Sequence, residues 1–389
     1  MRIYFKITVL LIIIGFSTQV FSQRLNISVY NKYNIRSIIV SPVAGKYELR
    51  SGAKLVLKMK RHHVVMLDII NDSIYVRTLT GSLGSFANLQ FIGVGKSNYF
   101  RIKPIDPDYK SRDYDDDLNI YIKDNKFLIV NNVDIENYIA GVVQSEGGTK
   151  SPIEYYKSQA IICRTYALEN LFRHINEGFH LCDGVHCQAY YSKCLLSDDI
   201  LQATYDTKGL IIVDTTLSLI TATFHSNCGG QTTGSENVWL QPRSYLKSVD
   251  DKFCTSGRSA KWTKTITVSQ WEKYLKKKRI STDSGIFNLN NYSFSQANRK
   301  KYYKYNGGRI PLKTIRNDWK LRSTFFEIKQ EGNTLVFIGK GYGHGVGLCQ
   351  EGAMEMAKQG YTYQQIIQFY YKNIFVVSLK ALEFFKQDE

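Results

Sequence analysis

The sequence predicts an α+β fold, in which a helical core packs with β-rich segments and follows a β-rich N-terminal region. Three observations carry this expectation. Residues 23 to about 130 break into short β-branched runs punctuated by Gly and Asn-Asp, the pattern of strands and tight turns. From Asn132 the apolar residues recur at helical spacing. Past residue 209 strand-like runs return, and two further helical stretches follow near the C-terminus. The composition is globular: of 389 residues, 43% are hydrophobic, 22% are charged and only 6 are Pro, which excludes a disordered or fibrous chain.

The chain opens with MRIYFKITVLLIIIGFSTQVFS. Arg2 and Lys6 precede a short apolar core, Ile7 to Phe16, and Val20-Phe21-Ser22 offers a cleavage site ending in a small residue. Residues 1–22 therefore read as a secretory signal peptide. The apolar run is roughly half of the ~20 residues a membrane span needs, so membrane attachment is expected only through an uncleaved signal. Residues 23–125 are the β-rich region, with runs at 37–40, 54–59, 64–70 and 73–78 and a polar loop at 106–117. Gly95-Lys96-Ser97 is not a phosphate-binding loop, because that pattern needs Gly at position 90, where Gln90 stands.

Residues 126–378 form the second unit. Asp134 is the expected N-cap of a helix carrying Ile135, Tyr138, Ile139, Val142 and Val143, ended by Gly147-Gly148. A second helix is expected from Ser151 to about Phe172, with Pro152 in its first turn and a Ser151-x-x-Glu154 capping box. Residues 210–213 and 219–224 are strand-like. Lys276 to Arg279 and Arg299 to Lys301 are basic runs, either a solvated face or a polymer-binding one. Alternating Gly341, Gly343, Gly345 and Gly347 let backbone lie close to another surface. A helix with Ala353, Met354 and Ala357 on one side then stops at Gly360, and Thr362-x-x-Gln365 caps a last helix through Tyr371. Residues 379–389 read as a C-terminal tail.

Lys and Arg total 51 against 34 Asp and Glu, a net charge of +17, so the natural partner is an anion. Loss of Arg2 and Lys6 with the signal leaves about +15. A 13% aromatic share with 27 Tyr suits stacking on bases or on sugar rings. Export argues against nucleic acid and for the anionic polymers of a periplasm or cell envelope. Seven cysteines cannot all pair within one chain, so some are free thiols or metal ligands.

Four constellations could carry chemistry. Glu146 sits in the last turn of its expected helix, facing the negative end of the macrodipole, which disfavours its charge and raises its pKa as a general acid requires. The alternative is an ordinary exposed helix-end glutamate. In RHINEGFHLCDGVHC, Cys182, His186 and Cys187 lie within six residues, with His174 or His180 to complete a tetrahedral, structural zinc set. His174 is preferred, because Cys182 follows His180 by only two positions; a Cys182–Cys187 disulfide is the alternative. In FHSNCGG, His225 and Ser226 point apart if on a strand, so His225 reads as a loop ligand for substrate, and Cys228 and Cys254 are candidates to pair. GYGHGVGLCQ is not a dinucleotide fingerprint; its His344 is a substrate ligand or a packed loop imidazole.

Four segments in order resemble the SpoIID/LytB family, the stage II sporulation protein D type. They are NVDIENYIAGVVQSEGG…YYKSQAIICRTYAL (132–168), LCDGVHCQAYYS (181–192), ATFHSNCGGQTTGSENVW…SYLKSVDD (222–251) and LRSTFFEI…GKGYGHGVGLCQEGAMEMAKQGYTYQQIIQFYY (321–371). The resemblance implies action on peptidoglycan glycan strands, with residues 126–378 as the catalytic domain. Some members are lytic transglycosylases that cut peptide-stripped glycan, and the family's proposed catalytic glutamate falls on Glu146. Some bind zinc in the stretch matching 174–187, and others are described as enhancers of a cell-wall amidase. The last motif departs from the family's usual Ser and Trp around its Gln, with Cys349 and Glu351 here.

The expected reaction is cleavage between N-acetylmuramic acid and N-acetylglucosamine to give a 1,6-anhydro end, with Glu146 as single acid and base. A bare glycan carries a lactyl carboxylate on each muramic unit, which suits a basic protein. Arg164, His225 and His344 are candidates for holding that group or positioning the sugar, and Tyr166 and Tyr342 for stacking on it. Gln159 and Gln350, inside the matching segments, complete the substrate-binding candidates. A non-catalytic, glycan-binding enhancer of a cell-wall amidase is the alternative.

Overall fold

The computed structural model describes residues 23–239, 241–281 and 291–386; the signal-peptide reading of 1–22 lies outside them. The fold is α+β. Among the described residues, eleven strands from 24–134 and 181–182 form one sheet whose spine is the antiparallel pair Ser37–Ser51 and Asn88–Asp106. Alternate residues of the first strand, Ile38, Val40, Tyr47 and Leu49, are buried, as the two-residue period of a half-covered strand requires. Within the stretch read as a loop, Arg112–Asp115 pairs with Tyr99–Ile102 as a short strand. Lys126–Asp134 pairs on both sides and runs directly into helix α1 (Ile135–Gly147). The two-residue strand Leu181–Cys182 joins the sheet edge parallel to Arg24–Val29, which anchors the Cys/His loop there.

Local signals explain the helix ends. The Asp134 carboxylate accepts the Glu136 amide at the start of α1, and Gly148 takes φ 69° just beyond its end. Helix α2 spans Ile153–Glu169, shorter than expected, and the capping box is not made. Glu154 instead reaches Lys157 and the Tyr363 amide, 2.8 Å away, so a tertiary contact displaces the local one. Helices α3 (Asp198–Asp206), α4 (Val268–Lys277) and α5 (Leu312–Asp318) follow. Helix α6 is Gln350–Lys358, and α7 is Tyr363–Tyr370 with both bonds of the Thr362/Gln365 capping box. The residues read as a tail begin a further helix, α8 (Leu379–Lys386), and bury Leu382.

Two apolar cores result. The larger joins Leu25, Val40 and Phe100 of the sheet to Ile139 and Ile161 of α1 and α2 and to Met356 and Ile367 of α6 and α7. The β-rich region and the helices thus share one interior across position 125. The smaller core gathers Trp262, Trp271, Tyr303 and Phe337 under α4, α5 and a three-stranded sheet. The stretch 219–224 is mostly irregular; only Phe224–His225 is a strand, parallel to Leu348–Cys349. That pairing requires the glycine-rich turn before it. Gly341, Gly343, Gly345 and Gly347 all have positive φ, and a side chain at Gly347 would run into the Thr223 carbonyl.

Candidate functional site

The last turn of α1 is fixed by three consecutive side chains. Gln144 Oε1 accepts the Leu195 amide at 2.9 Å, Ser145 Oγ the Tyr191 amide at 3.2 Å, and Glu146 Oε1 the Ala189 amide at 2.8 Å. Residues 189–195 therefore hold Glu146 in one orientation. Its carboxyl is half-buried and lines a cleft of about 550 Å³ with Ser226, Phe253, Arg258, Gln350 and Glu351. Burial pushes its pKa up from the usual carboxylate range, and the Ala189 amide opposes that in part. Desolvation is the larger of these two effects. Gln350 lines the same cleft and donates to the Glu146 carbonyl at 3.2 Å, tying α6 to the end of α1.

Other candidates lie elsewhere. Arg164 is only 1% exposed; its guanidinium forms a two-pronged pair with Glu136 at 2.5 and 3.1 Å and donates to the Leu210 and Thr204 carbonyls. It is a structural ion pair and cannot reach a substrate. Gln159 is fully buried and bonds Cys163 Sγ, which removes it from substrate contact too. Tyr166 accepts from Arg173, which also donates to the His186 carbonyl, so it braces the Cys/His loop. Tyr342 is half exposed on the glycine-rich turn.

His225 and His344 sit side by side, ring centres 5.5 Å apart, and the His344 ring is 5.9 Å from Trp239. Burial drives both pKa values down, that of His344 to about 4, so both imidazoles are neutral near pH 7 and offer no positive charge to a lactyl group. His225 Nδ1 lies 3.1 Å from the Val346 carbonyl, and its Nε2 is buried with no partner among the described residues. The charge comes from Lys301, within the basic run 299–301, and from Arg243 and Lys313, which the sequence reading did not single out. Trp239, Arg243, Lys301 and Lys313 line a second cleft of about 720 Å³ with no carboxylate among the described residues of its lining. Trp239 closes the quoted segment GSENVW, and an aromatic there was the available signal. Ser226, His225, His344 and Trp239 form a chain of neighbours linking the two clefts.

The Cys/His loop brings His174, Cys182, His186 and Cys187 together, with ligand atoms all within 4.8 Å of one another. Cys187 Sγ lies 3.4 Å from His174 Nε2 and 3.8 Å from His186 Nδ1. Tetrahedral zinc with bonds of about 2.0–2.3 Å needs edges of about 3.3–3.8 Å, so the donor set fits that ion. Glu177 Oε1 lies 2.5 Å from His174 Nδ1, the carboxylate partner that commonly orients a ligating imidazole. His180 is engaged elsewhere, accepting the Asn26 amide at 3.1 Å. The Cys182 thiol is pulled down and the Cys187 thiol pushed up, each chiefly by the hydrogen bond they share. All seven cysteines are thiols. Two belong to this loop. Cys228, Cys254 and Cys349 meet elsewhere, and Cys163 and Cys194 are isolated, raised by burial to about 12 and 11.

No helix among the described residues is long and apolar enough to cross a membrane. The family model described as Stage II sporulation protein matches residues 123–213. An uncharacterised protein of Brachyspira hyodysenteriae is 29% identical over 255 residues, 64% of this chain and 68% of that protein. The amidase enhancer of Bacillus subtilis is 27% identical over 288 residues, 60% of this chain and 39% of the enhancer. The stage II sporulation protein D of Bacillus subtilis is 30% identical over 258 residues, 62% of this chain. That alignment spans 74% of the relative's own length, and the chain belongs to the stage II sporulation protein D family.

Proposed function

We propose that the chain is an exported lytic transglycosylase that cuts the glycan strands of peptidoglycan, with Glu146 as its single acid and base. One observation carries this reading. Glu146 is half-buried on a cleft wall, its carboxyl is raised by desolvation, and among the described residues no cation is paired with it. A carboxyl so placed keeps its proton to a higher pH than a solvated one and can give it to a glycosidic oxygen.

In the reaction, Glu146 protonates the oxygen linking N-acetylmuramic acid to N-acetylglucosamine, and the C1–O bond breaks. The muramic C6 hydroxyl attacks C1, and the ionised Glu146 takes the hydroxyl proton. Atoms balance without water, and the product carries a 1,6-anhydro end. The Ala189 amide holds the carboxylate in place through both steps. Arg243, Lys301 and Lys313, with Trp239, suit the lactyl carboxylates and sugar faces of a peptide-stripped strand.

We further propose that His174, Cys182, His186 and Cys187 hold a zinc ion with a structural role. With all four positions taken by these side chains, the ion would brace the loop and would not activate water. Its loop leads directly into residues 189–195, which clamp Glu146. Incubation with peptide-free glycan and mass spectrometry of the products tests the main reading. The parent should release anhydro ends, and Glu146→Gln should release them at least about a hundredfold more slowly while still binding glycan. Intact strands from the parent would favour the second reading, a glycan-gripping enhancer of a cell-wall amidase. The likeness to the amidase enhancer and the acid-free basic cleft support that second reading.

A further inference from the structure

A second group of soft ligands meets inside the molecule. Cys228, Asp251, Cys254 and Cys349 are all buried, with ligand atoms within 4.8 Å of one another. Cys228 Sγ stands 3.3 Å from Cys254 Sγ and 3.2 Å from Asp251 Oδ2. The four arrive from three separate places: the loop after Phe224–His225, the turn at 251–254, and the residue before α6.

We propose that Cys228, Asp251, Cys254 and Cys349 form a second closed metal centre that takes one zinc ion or a similarly soft divalent ion. Three sulfurs and one carboxylate oxygen are a complete tetrahedral set, and their mutual spacing suits one ion with metal–sulfur bonds of about 2.3 Å. The surroundings are those of ligated thiolates. Backbone amides point at two of the sulfurs, Cys228 N–H at Cys349 Sγ (3.2 Å) and Gly230 N–H at Cys254 Sγ (3.3 Å). The Asp251 carboxylate is oriented by the Tyr370 hydroxyl and the Phe253 amide, each at 2.9 Å. Arg299 donates to the Cys228 carbonyl at 2.5 Å and brings a positive charge beside a centre whose ligands are four anions.

Asp251 supplies the independent reason. It is fully buried, and the donors on it, the Cys228 and Cys349 thiols, the Phe253 amide and the Tyr370 hydroxyl, are all neutral. A buried carboxylate held only by neutral donors is costly to keep ionised; Arg299 sits on the Cys228 carbonyl and not on Asp251, and a bound ion would supply the charge. A Cys228–Cys254 disulfide would consume two sulfurs and leave Asp251 as uncompensated as before. Loading the centre releases three thiol protons and needs no oxidant.

The position gives the centre a task. Ser226, Phe253 and Gln350, each one or two residues from a ligand, line the Glu146 cleft. The ion would tie together the wall that does not carry Glu146.

The test counts zinc per chain by mass spectrometry in protein exported and purified without chelators. The expected result is two zinc ions in the parent, one in Cys349→Ser, one in His174→Ala and none in the double variant. A parent with one zinc that Cys349→Ser retains in full overturns the proposal. So does thiol counting after denaturation that finds a Cys228–Cys254 disulfide. Should Cys349→Ser fail to fold, X-ray absorption at the zinc edge of the parent decides. More than two sulfurs per zinc on average supports the centre, and two or fewer overturns it. One zinc with three sulfurs keeps this centre and removes the one at His174.

Discussion

Helix α1 carries a glutamate at each end, and the two have opposite fates. Glu136, at the first turn, is 2% exposed and locked by the Arg164 guanidinium. Glu146, at the last turn, is half-buried, open to a cleft and held only by a backbone amide. The first carboxylate is compensated by a full opposite charge and serves the fold. The second is desolvated without compensation and is left with a raised pKa. Burial beside a cation fixes a carboxylate as an ion, whereas burial without one, at a cleft a substrate can enter, leaves a carboxyl able to hold and give up a proton.

Exchanging each acid for its amide separates the two roles most sharply. Glu146→Gln should lower turnover on peptide-free glycan by about 10²–10⁴-fold, the usual contribution of a positioned acid–base group. Its Oε1 still accepts the Ala189 amide, so thermal stability should be unchanged or higher. Arg164→Ala should do the reverse. It strands the Glu136 carboxylate in the core, and breaking such a buried pair costs about 3–5 kcal/mol. Denaturant unfolding would read that loss directly, while the folded fraction should keep the parent's specific activity. Comparable turnover in Glu146→Gln and parent would end the assignment of roles.

The sign of the pH dependence follows from the same contrast. Glu146 has a folded pKa above its unfolded one, so the folded state binds the extra proton in the window between them. Its contribution to stability is favourable below the unfolded pKa and is lost as pH rises through the folded pKa. The stability gap between Glu146→Gln and parent should therefore widen as pH rises through this window and close in acid. Turnover by the parent should fall over the same rise, as the acid form disappears.

Much of this site was legible before any coordinates. Asp134 and Gly147-Gly148 bracket α1, and that bracket alone puts Glu146 in a last turn. Thr362 and Gln365 announce α7 by chemistry confined to four residues. The misreadings share one cause, a partner distant in sequence. Glu154 looked like half of a capping box until Tyr363 claimed it. Arg164 looked like a substrate ligand because its motif is recognisable, yet Glu136 and two carbonyls use all its reach. His225 and His344 were candidates for holding the lactyl group or positioning the sugar, but burial and, for His225, the neighbouring His344 keep both neutral, which leaves them no charge for a carboxylate. Nor does spacing along the chain announce a group formed from positions 228, 251, 254 and 349.

The smallest expected effect is the most diagnostic of mechanism. Glu351 and Glu355 also line the Glu146 cleft, so two further carboxylates are present where the sequence offered no acidic motif; Glu355 is engaged by Lys358 and by Gln359, one turn along its own helix. Two carboxylates flanking a glycosidic bond are the equipment of a hydrolase, which adds water and leaves a reducing end. Glu351, however, is already committed: its Oε2 accepts from Asn227 at 2.7 Å and from the Ser259 amide at 3.4 Å. It braces the loop beside Cys228 and Cys254 and does not stand ready to activate water. Glu351→Gln keeps the acceptor, so turnover should change by less than tenfold, about 1.4 kcal/mol in the barrier. The products should remain anhydro-ended, with no ¹⁸O taken up from labelled water. Reducing ends carrying ¹⁸O in the parent, lost together with activity in Glu351→Gln, would make Glu351 the base and the single-acid reaction wrong.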